Sequence, residues 1–182
     1  MQAKTLVHRC LILIFLFTSV VMMAQQPPVS SPLLDHLNGN WVMQGSIANQ
    51  AVTHDVSADW VLDHHYLRIH EVSREKNDKG KAQYEAMVFV AWNEGSKQYS
   101  CAWMDVYGGL TSESIGVASP KENEIDFTFK DEKGNATFQN DFVYDAKADT
   151  WEWRMDNLDK GVAKPFARVK LSRSAGSPKS GS

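Results

Sequence analysis

Gly39-Asn40-Trp41 lies a few residues past a short helix signal and directly ahead of an almost unbroken series of strand-like segments. A tryptophan at that place can turn into the closed end of an antiparallel β-barrel and plug it. The glycine lets the incoming chain pass close by. The tripeptide is common in itself; its position before all the strands gives it meaning.

On the N-terminal side, Ser31-Pro32 reads as a helix start, with serine as cap and proline in the first turn. Leu33, Leu34 and Leu37 give this helix one apolar face and Gly39 stops it, so it suits a lid over a barrel end. Beyond Trp41 the apolar period changes to two. Strands are expected over 41–47, 52–61, 66–72, 84–92, 98–107, 110–118, 124–130, 136–144, 150–155 and 165–171. A tight turn is expected around Asp63-His64, a solvated loop over 75–80 and a hairpin turn at Asn93-Glu94-Gly95-Ser96. Such spacing, with no long internal helix, predicts an all-β fold. The expected form is an antiparallel up-and-down barrel of about ten strands with a short N-terminal helix; a sandwich is the alternative.

Residues 1–24 read as a signal peptide: Lys4, His8 and Arg9 precede an apolar run from Cys10 to Met23, and Ala24 offers a cleavage point. The run falls short of the roughly 20 residues of a membrane span, so no stable span is expected after cleavage. The expected location is periplasmic or extracellular. Residues 25–37 form a leader and the short helix, 38–172 the barrel, and 173–182 a disordered Ser/Gly/Lys-rich tail. Cleavage leaves about 158 of the 182 residues and moves the formal charge from -3 to about -5. Six tryptophans, five tyrosines and eight phenylalanines accompany scattered basic residues, which argues against a nucleic-acid partner. Cys101 alone remains in the mature chain and reads as a buried thiol.

Four short elements carry a resemblance. They are Gly39-Asn40-Trp41; Val61-Leu62-Asp63 with Tyr66-Leu67; Trp103-Met104-Asp105 followed by Gly108; and Ala167-Arg168-Val169. Together the chain resembles the lipocalin-like, or calycin-type, barrels, most closely a bacterial family of exported proteins of unestablished function. The resemblance implies a small antiparallel barrel with an internal cavity and its mouth at one end. The family pattern has glycine after the first-turn aspartate, where this chain has His64, so this turn is expected to be looser or longer.

Alternation selects the candidate site. Tyr99, Cys101, Trp103, Asp105 and Tyr107 share one face of their strand. If that face points inward, Asp105 is a partly buried carboxylate that needs a partner or a ligand; otherwise it meets water at the strand end. Tyr84, Ala86, Val88, Val90 and Trp92 share a face, and the opposite face is apolar too, which makes a homodimer possible. Trp151, Trp153 and Met155 are expected inward, with Glu152 and Arg154 outward.

No metal or cofactor is expected. His64 and His70 share a face but stand roughly 20 Å apart along the strand, and a hairpin near Asp63 would pair His70 with about Ser57, not His54. No histidine follows His70, which removes the basis for haem through a late histidine. Nucleophile elbows, zinc-protease helices, phosphate loops and dinucleotide fingerprints are absent. Asn135-Ala136-Thr137 is a glycosylation sequon, relevant in a eukaryotic secretory pathway.

The expected function is binding of a small apolar or amphipathic ligand, with Tyr84, Trp92 and Trp103 as walls, Asp105 orienting a polar group and Trp41 sealing the end. The alternatives are an enzyme using Asp105 as acid or base, and a structural or interaction module working through its outer face.

Overall fold

A computed structural model describes residues 31–175. The expected signal peptide, the leader before Ser31 and the tail beyond residue 175 lie outside the described residues. Helix α1 (Pro32–Asp35) is followed by ten strands. These are β1 (Gly39–Ile47), β2 (Gln50–Val61), β3 (Tyr66–Ser73), β4 (Glu85–Asn93), β5 (Gln98–Asp105), β6 (Ile115–Ala118), β7 (Glu124–Lys130), β8 (Ala136–Asp145), β9 (Thr150–Asp159) and β10 (Val162–Arg173). Each strand pairs antiparallel with its sequence neighbour, and β10 pairs with β1 to close the barrel. The sandwich alternative is thereby excluded.

Period-two patterning is the physical cause of this closure. Strands turn an apolar set inward, as in Leu67 and Ile69 of β3, Val88 and Val90 of β4, and Phe127 and Phe129 of β7; the short β6 departs, with Ile115 and Val117 exposed and Gly116 and Ala118 buried. Trp151, Trp153 and Met155 are buried while Glu152 is exposed, as the alternation of β9 demands. Ser57 stands opposite His70, the register expected from a turn near Asp63. That turn spans Leu62 to His65, with Leu62, Asp63 and His64 all in the left-handed region. It is longer than a two-residue hairpin, and the His64 ring stacks on Trp60 with centroids 5.0 Å apart.

Three boundaries differ from expectation. Strand β5 ends at Asp105, and the segment before Ile115 is a loop with one 3₁₀ turn at Ser112–Ser114, because Gly108 and Gly109 take positive φ. Strands β9 and β10 run on to a tight turn at Lys160-Gly161, and β10 accommodates Pro165 at a bulge. Strand β10 also runs past the expected barrel end at 172: Arg173 is its last residue, and Ser174 N–H donates to the Asn40 carbonyl.

Trp41 plugs the closed end. It is 1% exposed, and its Nε1 donates to the Leu37 carbonyl at 2.8 Å. Ser31 caps α1 through the Leu34 N–H, and Leu33, Leu34 and Leu37 are buried against the barrel. The Arg173 guanidinium carbon lies 3.7 Å from the Trp41 ring centroid. Its nitrogens donate to the Asn38 and His36 carbonyls at 2.6 and 2.9 Å, and its Nε donates to Asp149 at 3.1 Å. Gly39 is required by its φ of +122°, and a Cβ there would also push aside the Arg173 guanidinium, whose nearest nitrogen lies 2.5 Å away.

Candidate functional site

Because β1 begins at the plug, the opposite end of each strand forms the mouth. The half of the barrel nearest the mouth encloses a cavity of about 800 Å³, within the range of small-molecule sites. Val52, Phe129, Phe138, Met155 and Phe166 supply apolar wall. A polar group gathers from β2, β3, β5 and the residue just before β4: His54, Glu71, Tyr84, Trp103 and Asp105 all line the cavity.

Strand register explains their meeting. His54 follows Val52 and precedes Val56 in the inward phase of β2, and Glu71 follows Leu67 and Ile69 in that of β3. Glu71 stands opposite Ala86, and Ala86 opposite Asp105. A small residue thus separates the two carboxylates in one row and leaves room above it.

His54 and Glu71 are both buried, with Nδ1 and Oε1 hydrogen-bonded at 2.6 Å. The other imidazole nitrogen faces Glu75 Oε2 at 3.9 Å, beyond hydrogen-bond length. The His54 ring stacks on Tyr84 with centroids 5.8 Å apart. Trp103 Nε1 donates to the Tyr84 hydroxyl at 3.1 Å, and that hydroxyl donates to Asp105 at 3.5 Å. Burial, with the nearby Glu71 charge, pushes the Tyr84 phenol well above its ordinary range. Asp105 also accepts the Tyr107 N–H at 2.9 Å, which ties the mouth loop to the wall.

The polar groups of this cavity are incompletely satisfied. Glu71 Oε2, Glu75 Oε2 and both amide atoms of Asn140 are buried without a hydrogen-bond partner. All three residues line the cavity. Asn140 is 1% exposed and sits on β8, five strands from β3 in either direction around the closed sheet. Glu71 and Asn140 therefore occupy opposing walls. Buried amides and carboxylates are ordinarily paired, so these atoms keep unused hydrogen-bonding capacity at the cavity.

Of the residues singled out from sequence, Tyr84, Trp103 and Asp105 come together at this cavity, with Asp105 half-buried at the end of β5. Trp92 is not with them. Strand β4 runs from mouth to base, so Trp92 packs edge-on to Tyr99 and donates to Glu94 near the closed end. Tyr99 there is hydrogen-bonded to Ser31 of the helix cap at 2.8 Å. Cys101 is buried, and burial pushes its thiol up to about 12, an inert small core residue. His54, Glu71 and Asn140 escaped the sequence reading, although each is a polar residue in phase with apolar neighbours, the available signal.

A second acidic group lies outside the barrel. Glu124, Asp126 and Asp141 bring carboxylate oxygens within 4.8 Å of one another on the outer face of β7 and β8. Lys121 reaches Glu124 and Asp126 at 2.6 and 3.2 Å, and Arg154 reaches Glu124 and Asp141 at 3.4 and 3.6 Å, so the group carries its own countercharge. Among the described residues no helix is long and apolar enough to cross a membrane.

No protein-family model and no curated protein matches this chain, so the functional reading rests on the geometry of the cavity.

Proposed function

We propose that this protein is an exported binding protein that holds a small, mainly apolar ligand in the open half of its barrel. The observation that carries the reading is a cavity of about 800 Å³ whose aromatic and aliphatic walls enclose buried, unpartnered polar atoms of Glu71 and Asn140. A shaped apolar space with a few unsatisfied polar groups is what orients one end of a ligand while the rest is desolvated. Trp103 and Tyr84 form its aromatic wall and Asp105 holds the tyrosine. The resemblance to lipocalin-like barrels and the basic-apolar start of the chain support binding and export respectively.

An apolar fluorescent probe should quench tryptophan emission on entering the cavity, and Trp103→Ala should weaken its binding. A protein that takes up no probe would defeat the reading. N-terminal sequencing of the native protein should begin near Gln25; an intact Met1 in the cytosol would defeat export.

The His54–Glu71 pair favours a second reading, an enzyme in the same cavity. A carboxylate that orients an imidazole is the arrangement of a general base. In that case His54→Gln should abolish turnover of a substrate whose binding persists.

A further inference from the structure

We propose that the ligand is an amphipathic organic amine, bound as the ammonium, with its charged nitrogen against Glu71 and its apolar body along the aromatic wall. This rests on the binding reading above. The lining carries four carboxylates, those of Glu71, Glu75, Asp105 and Glu113, and neither lysine nor arginine; His54 is its single group able to become cationic. A cleft with one sign of charge and low-dielectric walls concentrates counter-ions of the other sign and repels its own. An anionic headgroup would meet uncompensated repulsion there.

The polar atoms specify more than charge. Glu71 Oε1 is taken by His54, while Oε2 is buried and without a donor. An ammonium N–H supplies both the donor and the charge, whereas a quaternary nitrogen supplies the charge alone. The rings of Tyr84 and Tyr107 lie 6.2 Å apart beside this carboxylate row and offer π-faces to a cation. On the opposing wall the unpartnered amide of Asn140 can both donate and accept, so it suits a neutral polar group at the far end of the ligand.

The test is calorimetric titration of the protein at neutral pH with four probes of one chain length: octylamine, octanol, octanoate and octyltrimethylammonium. Octylamine should bind at least about tenfold more tightly than octanol, the fold-change of one charge-assisted hydrogen bond. Octanoate should bind most weakly, and octyltrimethylammonium should fall below octylamine. In Glu71→Gln the amine-to-alcohol ratio should collapse towards one. If that variant does not fold, Asp105→Asn and Glu75→Gln should each lower the same ratio. Octanol or octanoate binding as tightly as octylamine would overturn the amine assignment and leave the cavity-binding reading standing. Equal binding of octylamine and its trimethyl analogue would overturn the N–H contact to Glu71. Binding of none of the four would defeat both.

Discussion

At the closed end of the barrel Trp41, Trp60 and Arg173 all donate to defined acceptors: the Leu37 carbonyl, Asp35, and the His36 and Asn38 carbonyls with Asp149. In the open half Glu71, Glu75 and Asn140 bury polar atoms with no acceptor or donor in reach. The same strands build both ends, so the difference lies in side chains. Polar groups at the plug are matched among themselves and hold the fold. At the mouth the matching is only partial: Glu71 Oε1 is paired with His54, while Glu71 Oε2, Glu75 Oε2 and the Asn140 amide are left without a partner, at some cost in stability. Substitutions should therefore have opposite signs at the two ends.

The largest effect should come from the plug. Trp41→Ala removes a fully buried ring, its hydrogen bond to Leu37 and the face on which Arg173 rests. The expected loss is about 3–5 kcal/mol, read from the denaturation midpoint. An unchanged midpoint would break the assignment of the closed end as the structural half.

Arg173→Met should follow, at about 2 kcal/mol, because it strands two carbonyls at the end of α1 and separates Asp149 from its partner. Its pH signature is distinctive. Burial raises the Asp149 carboxyl, but hydrogen bonds from Arg173 and Tyr144 and the Arg173 charge outweigh it, and the net direction is downward. A lowered carboxylate contributes stability above its ordinary value near 4 and loses it as pH falls through the folded value. The gap between wild type and Asp149→Asn should thus be full at neutral pH and close only in acid.

The plug also marks how far sequence alone reaches. Gly39 and Trp41 stood out because they open the strand series, and most of the strands followed from period two, down to the pairing of Ser57 with His70. Arg173 did not stand out, since it sits where β10 fades into a Ser/Gly/Lys-rich stretch and its role depends on residues 135 and 137 positions away. Tyr84, Trp103 and Asp105 were legible through alternation with aromatics. Trp92 shares that alternation, yet phase says which face a residue takes and nothing about its height along the barrel. His54, Glu71 and Asn140 each interrupt an apolar row, and only closure of the sheet shows that two of them face one another across a cavity.

The open half should behave in the opposite sense. Asn140→Leu replaces a buried, unpartnered amide by an apolar side chain of similar volume beside Met155 and Phe127. Stability should rise by about 1 kcal/mol, the cost of an unmet polar group recovered, while binding of ligands with a polar far end weakens. A destabilisation of the same size would mean that Asn140 serves the fold, and the contrast between the two ends would fail there.

The smallest effect is expected from the outer wall, where Asp126 and Asp141 press together. Burial, and then the hydrogen bond and charge of Asp126, push the Asp141 carboxyl up to about 6. Asp126 moves down despite its burial, through hydrogen bonds to Asp141, Gln139 and Lys121. The pair thus keeps one proton that the unfolded chain would release near pH 4. A raised carboxyl contributes stability below its unfolded value and loses it as pH rises through the folded one, so wild type should lose stability between about pH 4 and 6. Because Asp126 titrates in the opposite sense and both groups are partly open to solvent, the net slope is shallow. Asp141→Asn should flatten it and leave the protein more stable at neutral pH by less than about 1 kcal/mol. Denaturation midpoints at pH 4 and pH 7 measure this directly. A variant whose slope matches wild type would show that the shared proton is not there.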